Sequence, residues 1–201
     1  MPKASGSESD PIFFKSPAEF RKWLEKNHET AKELWIGFYR KSTGKPSLTW
    51  PETVDEVLCF GWIDGIRKSI DEESFKQRVT PRRPTSIWSK INIQKIATLT
   101  SEGRMKPAGL REVERAKADG RWQTAYEGQR TISVPTDLRR ELDTRPAAAE
   151  FFASLDSRNR YAILYRLQDA KKPETRARRL EKFVAMLEAG ETIHPPARRR
   201  S

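Results

Sequence analysis

The segment CFGWIDGIRKSIDEESFKQRVTPRRPTSIWSKIN, residues 59–92, decides the fold predicted for this chain. Residues 62–70 and 74–81 are rich in β-branched and aromatic side chains, and the acidic turn at 71–73 separates them. This pattern predicts two antiparallel strands joined as a hairpin. Prolines then interrupt the pattern, and apolar residues at helical spacing predict a helix over residues 87–102.

Earlier residues add a helix and a second hairpin to this prediction. Ser16 and Pro17 are typical of a helix start, with Ser16 as the cap and Pro17 in the first turn. Residues 33–41 predict a strand, and residues 47–50 predict a short partner strand across the turn at 42–46.

Further helices are predicted at residues 51–61 and 108–119, each ended by a nearby glycine. Helices and antiparallel hairpins in this order indicate an α+β fold, a small antiparallel sheet with packed helices. From residue 136 onward every predicted element is a helix, so an all-helical C-terminal module follows the sheet.

Four regions are therefore expected along the chain. They are a disordered tail (1–10), an N-terminal α+β domain (11–130), a C-terminal helical module (131–192) and a basic tail (193–201). The first residues lack the apolar core of a signal peptide, and no run is long enough to span a membrane. We therefore expect a cytoplasmic protein with no transmembrane segment, whose oligomeric state the sequence leaves open.

Charge and composition narrow the functional classes. The chain carries 39 Lys and Arg against 28 Asp and Glu, a net charge of +11. This excess favours nucleic acid, anionic lipid or phosphorylated ligands, although simple solubility would also account for it. The single cysteine, Cys59, excludes an internal disulfide and a cysteine-based zinc site. With only two histidines, a histidine-based catalytic apparatus is not expected, and the sequence predicts no metal and no cofactor.

Nine residues are candidates for binding a ligand, because they combine cations, aromatic rings and hydrogen-bonding groups around the deciding segment. They are Trp62, Asp64, Arg67, Arg82, Arg83, Ser86, Trp88, Asn92 and Arg104.

The strongest part of this set lies between Pro81 and Asn92. Two arginines stand between prolines, just before a predicted helix whose free N–H groups favour an anion. Trp88 would supply a stacking face for the ligand. Alternatively, Ser86 is only a helix cap and both arginines are solvated.

Asp64 has three interpretations: a structural partner for an arginine, a general base, or a turn residue bonded to the backbone. The first is favoured over catalysis, because the chain lacks the histidines that usually accompany a base.

A second basic cluster lies at the start of the last predicted helix. It comprises Lys171, Lys172, Arg176, Arg178, Arg179 and Lys182. Such a helix face can grip phosphates or anionic lipid. Equally, it can be a solvated face on which Arg176 and Arg179 pair with Glu174 and Asp169.

The segments PTDLRREL, FFASL and NRYAILYRLQDAKKPETRARRLEKFVAMLEAG, between residues 135 and 190, carry a resemblance to a known family. They resemble the C-terminal helical module of the YdeI or OmpD-associated family, often labelled bacteriocin-protection. Upstream, LCFGWIDG, TPRRPTSIWSKIN, GRMKPAGL and DGRW also look like members of that family, which extends the resemblance over residues 13–195.

The resemblance implies a role in resistance to bacteriocins or antimicrobial peptides, associated with an outer-membrane porin, and no established catalytic residues. Our leading hypothesis is a non-enzymatic binding protein that engages an anionic ligand or a protein partner through an Arg/Trp-lined pocket. A nucleic-acid-binding protein using its basic helices is the second hypothesis. An enzyme with Asp64 as general base is the third.

Overall fold

The computed structural model describes residues 10–195, which divide into two compact units. The first contains residues 10–88 and 92–124, and the second contains residues 89–91 and 125–195. The tails expected at 1–10 and 193–201 lie outside the described residues, except for their inner ends.

A four-stranded sheet forms the centre of the first unit. Its strands are β1 (Ile12–Phe13), β2 (Leu34–Tyr39), β3 (Trp62–Ser69) and β4 (Ser74–Pro81), in the order β1-β2-β4-β3. The predicted β3–β4 hairpin is confirmed. The sheet is mixed rather than purely antiparallel, because the short β1 pairs in parallel with β2. With helices on the same chain, the predicted α+β class is confirmed.

Four helices accompany this sheet. They are α1 (Pro17–Asn27), α2 (Trp50–Cys59), α3 (Lys90–Ser101) and α4 (Pro107–Ala118). The predicted start of α1 is confirmed, since the Ser16 hydroxyl accepts a hydrogen bond from the Glu19 backbone N–H. The first residues of α3, Lys90 and Ile91, group with the second unit.

The strand predicted at residues 47–50 is wrong. Thr49 instead caps α2, and its side chain and that of Glu52 form a reciprocal capping box. Strand β2 pairs with β1 along one edge and with β4 along the other, and residues 47–50 pair with neither edge. The hairpin expected around the turn at 42–46 therefore does not form. A short 3-10 turn, Lys41–Thr43, follows β2.

Two glycines allow helices α2 and α4 to approach closely. Gly61 ends α2 with φ of +73°, a left-handed conformation that favours glycine. At Gly109, a Cβ would lie 2.3 Å from the Cys59 carbonyl oxygen. Any side chain at residue 109 would therefore force the two helices apart.

The second unit is entirely helical. It contains α5 (Thr136–Asp143), α6 (Pro146–Ser154), α7 (Ser157–Gln168) and α8 (Pro173–Glu188). The Asp156 side chain caps α7 by accepting a hydrogen bond from the Asn159 backbone N–H, and Pro173 begins α8. The core of the second unit includes the fully buried side chains of Leu138, Ile163, Leu167 and Leu187.

The chain beyond α8 is tied to this unit. The buried side chain of Asn159 donates to the His194 carbonyl oxygen at 3.2 Å and accepts from the His194 N–H at 2.8 Å. Ile193 packs against the helical core. The ordered part of the C-terminal module therefore continues at least to residue 194.

Candidate functional site

Both tryptophans expected to contact a ligand are buried. Trp62 and Trp88 are each 1% exposed, so neither offers a stacking face at the surface. The Trp62 indole donates to the His28 carbonyl oxygen at 3.2 Å, and its ring meets Trp23 edge-on. Trp62 is a core residue of the first unit.

Arg82 lies flat on Trp88, with its guanidinium carbon 3.6 Å from the centre of the ring. The arginine is only 6% exposed and also donates to the Ile87 carbonyl oxygen at 3.3 Å. Trp88 in turn packs against Trp122 at 5.2 Å. Arg82 and Trp88 thus form part of a buried stack, which fixes the loop after β4.

Arg83 is exposed, and the loop around it is closed by local hydrogen bonds. Its backbone N–H donates to the Ser86 hydroxyl at 3.0 Å, and the Ser86 carbonyl oxygen accepts from Arg121 at 2.6 Å. The predicted role of Ser86 as a cap on the following helix is not seen, because that hydroxyl is bonded to Arg83. Asn92 is half-buried on α3.

Arg104 belongs to a separate ion-pair cluster, away from the Arg82 loop. Its guanidinium donates to the buried carboxylate of Glu56 at 2.8 Å, and Arg21 donates to the other oxygen of that carboxylate at 2.7 Å. One carboxylate between two arginines satisfies the charge of Glu56 inside the protein. The nine predicted residues are therefore distributed over several local clusters.

Asp64 lies on β3, where the Gln77 side chain donates to its carboxylate at 3.1 Å. Burial raises the pKa of the Asp64 carboxyl, while interactions with Trp50, Arg82 and Gln77 oppose the rise. The interpretation of Asp64 as an arginine's partner stays a prediction.

A groove of about 470 Å³ lies at one end of the first unit's sheet, and we call it the basic groove. It is lined by Phe38, Tyr39, Arg40, Lys41, Ser42, Lys45, Ser47, Leu48, Thr49, Trp50, Pro51, Arg67 and Phe75. Arg67 is the one residue of the predicted set among these. Asp64 is not among the residues that line the groove.

Four cations line the basic groove, and they differ in their contacts. Lys45 pairs with Glu73 at 2.6 Å, and this hydrogen bond raises the pKa of the Lys45 ammonium group. Arg40 donates from Nη2 to the Ser69 hydroxyl at 3.3 Å, while its buried Nε meets no acceptor in residues 10–195. Within the same range, Lys41 and Arg67 donate to no protein acceptor. The last two therefore keep their donors available to a ligand.

Four aromatic rings complete the groove walls. Phe38 and Phe75 stack at 4.9 Å, and the Arg67 guanidinium covers Phe75 at 3.6 Å. Tyr39 lies between Phe13, stacked at 4.7 Å, and the Lys45 ammonium at 5.0 Å. Trp50 is different, because it is 46% exposed.

A smaller groove of about 320 Å³ lies elsewhere on the first unit. His28, Lys106 and Arg111 line it together with two carboxylates, Glu25 and Glu29. Lys106 already pairs with Glu25 at 3.2 Å. Since charges of both signs are present, this groove shows no preference for an anion.

Two arginines of the predicted basic surface form ion pairs within the second unit. Arg176 forms a two-pronged ion pair with Asp137, at 2.6 and 2.9 Å, rather than with Glu174. Arg179 pairs with Asp169 at 3.6 Å, as the solvated-face alternative expected. The remaining cations of the cluster are exposed: Lys171, Lys172, Arg178 and Lys182.

Sequence reasoning missed most of the basic groove. Arg40, Lys41 and Lys45 lie within six residues of one another, across the end of the strand predicted at 33–41 and the turn predicted at 42–46. This density of cations, followed by Trp50, is a local sign of an anion-binding surface.

Residues 10–195 offer neither a membrane span nor a metal cluster. No helix between residues 10 and 195 is long and apolar enough to cross a bilayer. Over the same residues, His, Cys, Asp and Glu side chains do not gather in groups of three that could hold a metal ion.

Comparison with known proteins assigns the two ends of the chain to different family models. The model described as bacteriocin-protection, YdeI or OmpD-associated matches residues 131–190. The resemblance noted in the sequence is therefore supported for the C-terminal module, and this suggests a bacteriocin-protection type of function. Curated proteins and solved structures yielded no match to the chain.

A second model, described as a domain of unknown function, DUF8412, matches residues 12–112. These residues include three of the four upstream motifs, LCFGWIDG, TPRRPTSIWSKIN and GRMKPAGL, that resemble the bacteriocin-protection family, so the wider resemblance is not supported there. The match covers half of the 201 residues and contains the whole basic groove. The chain belongs to the DUF8412 domain family.

Proposed function

We propose that this protein is a non-enzymatic binding protein of the bacteriocin-protection type, and that it holds an anionic ligand in the basic groove. The observation that carries the proposal is the composition of the groove. Four cationic side chains and four aromatic rings line it, with no carboxylate among the thirteen described lining residues. A concave surface of one charge sign concentrates ligands of the opposite sign.

The contacts of the cations support this proposal. The guanidinium carbon of Arg67 lies 3.6 Å from the centre of the Phe75 ring. Lys41 is exposed, beside the short 3-10 turn. Because neither side chain donates to an acceptor within residues 10–195, binding an anion there breaks no existing ion pair.

The match of the second unit supports the bacteriocin-protection part of the proposal. The match of the first unit, by contrast, carries no functional description. The groove therefore supplies the chemical argument, and the family match supplies the biological setting.

Calorimetric titration with pyrophosphate, citrate and adenosine monophosphate tests the proposal at low and high salt. We expect at least one of them to bind, with an affinity that falls as salt rises. Arg67→Ala and Lys41→Ala should each weaken binding about tenfold, the effect of one lost charge-assisted hydrogen bond.

Arg83→Ala is the matched control, because Arg83 is equally an exposed arginine of the first unit but does not line the groove. It should leave the affinity unchanged. Absence of binding by all three anions would overturn the proposal. An equal loss in Arg83→Ala would move the site to the loop after β4.

A further inference from the structure

We infer that the ligand of the basic groove is a nucleotide, with its base against Trp50 and its phosphate held by Arg67 and Lys41. This inference rests on the proposed function and specifies the chemical class of the anion. It joins two observations: an exposed indole lines the same groove as two cations, Arg67 and Lys41, that donate to no acceptor within residues 10–195.

Trp50 is the ring of the groove that is available for stacking. The faces of Tyr39 and Phe75 are covered by other rings and by cations. Trp50, nearly half exposed, has no ring or cation contact within residues 10–195. An exposed tryptophan beside cations is the usual platform for a nucleic-acid base, whereas a ligand without a ring would gain nothing from it.

The position of Trp50 is also fixed before a ligand arrives. Trp50 is the first residue of α2, directly after the capping box formed by Thr49 and Glu52. The backbone that carries the indole is therefore held in place before a ligand arrives, which reduces the conformational freedom lost when a base stacks on the ring.

Arg67 is suited to hold the phosphate. Its guanidinium packs over the Phe75 ring, and the planar fork of N–H groups of an arginine matches two oxygens of a phosphate. Lys41 adds a second positive charge, and no ion pair involves it within residues 10–195. The volume of about 470 Å³ falls in the range of small-molecule sites and suits one nucleotide.

The experiment compares three probes on the unaltered protein: adenosine monophosphate, ribose 5-phosphate and adenosine. Binding is measured by calorimetry and by quenching of tryptophan fluorescence. We expect adenosine monophosphate to bind at least about tenfold more tightly than ribose 5-phosphate, which lacks the base. Equal affinities would overturn the inference and leave the proposed function standing. Failure of every anion to bind would overturn both.

Variants then assign the two ends of the ligand. Trp50→Leu should weaken adenosine monophosphate about tenfold and leave ribose 5-phosphate unchanged, whereas Lys41→Ala should weaken both. If Trp50→Leu weakens both phosphates equally, the base does not lie on Trp50, and the inference is wrong. Circular dichroism establishes that each variant is folded.

A ten-residue thymidine oligonucleotide distinguishes the two sources of a nucleotide. Tighter binding of the strand than of thymidine monophosphate, lost in Trp50→Leu, identifies single-stranded nucleic acid as the source. Equal binding of the strand and the mononucleotide identifies a free nucleotide.

Discussion

Asp64 and Arg67 lie on the same face of the sheet, although they are three positions apart in one strand. In a regular strand, side chains three apart point to opposite faces. In β3, however, Asp64 pairs with Val79 and Arg67 pairs with Gln77, so β3 uses one residue more than β4 over this interval. This bulge turns Arg67 onto the face of Asp64 and places its guanidinium over Phe75.

The first prediction concerns the pH dependence that Asp64 produces. Burial raises the pKa of its carboxyl above 3.8, so the folded state holds this proton more tightly than the unfolded state does. The stability that the protonated Asp64 carboxyl contributes is fully present below pH 3.8 and is lost as the pH rises through the raised pKa. Asp64→Asn removes this dependence and should raise the free energy of unfolding at pH 7 by about 1 kcal/mol.

Urea unfolding followed by tryptophan fluorescence measures this effect, because all six tryptophans belong to the first unit. The difference between the two proteins isolates Asp64 from the other carboxyl groups. Asp10→Asn, an exposed aspartate of the same unit, is the control and should follow the unaltered protein. Parallel pH profiles for Asp64→Asn and the unaltered protein would contradict the prediction.

The second prediction concerns Glu56, which is 3% exposed between Arg21 and Arg104. Glu56→Ala removes the carboxylate and leaves two partly buried guanidinium groups without their acceptor. Because both arginines retain some contact with water, we expect a loss of about 2–3 kcal/mol, below the cost of breaking a fully buried pair.

The same fluorescence-monitored unfolding measures this loss. Glu72→Ala is the control, since Glu72 is an exposed carboxylate in the β3–β4 turn, and it should change stability by less than about 0.5 kcal/mol. If both variants unfold at the same urea concentration, the Glu56 cluster does not stabilise the first unit.

The third prediction concerns the pair between Asp137 and Arg176 in the second unit. Hydrogen bonds from Arg176 lower the pKa of Asp137 below 3.8. The stability that this pair contributes is present above pH 3.8 and is lost as the pH falls through the lowered pKa. Asp137→Asn should cost about 1 kcal/mol at pH 7 and remove this acid sensitivity, because a half-exposed pair contributes modestly.

Circular dichroism at the helical band reports the helices of both units, while tryptophan fluorescence follows the first unit alone in the same samples. In Asp137→Asn the dichroism transition should shift and the fluorescence transition should stay unchanged. Asp143→Asn, on the same helix but without a cation partner in the described residues, is the control. A loss of equal size in the control would mean that the pair with Arg176 is not the cause.

Local patterns predicted most of the secondary structure, and they failed where a local signal had two interpretations. Ser16 and Pro17 began α1 as expected, because capping depends on a few neighbouring residues. Residues 47–50 suited a strand by composition, yet the capping box of Thr49 and Glu52 began a helix there. Strand β1 has only two residues, so its parallel pairing with β2 left no pattern to detect.

The candidate site was harder to predict than the fold. Arg82 and Trp88 have the composition of a binding site, but they pack against each other and are buried. A sequence shows which side chains are cationic or aromatic. It does not show which of them are already engaged by their neighbours.

The sequence by itself determined the α+β class, the β3–β4 hairpin, the helical C-terminal module and the excess of positive charge. Each of these depends on residues that are close together in the chain or on composition. Only the tertiary structure decided that Arg67, Trp50 and Lys41 line one groove while Trp62 and Trp88 are buried. The physical reason is that a one-residue bulge reverses the direction of Arg67, and that the pairing of β2 with β4 brings Phe38 and Phe75 beneath it.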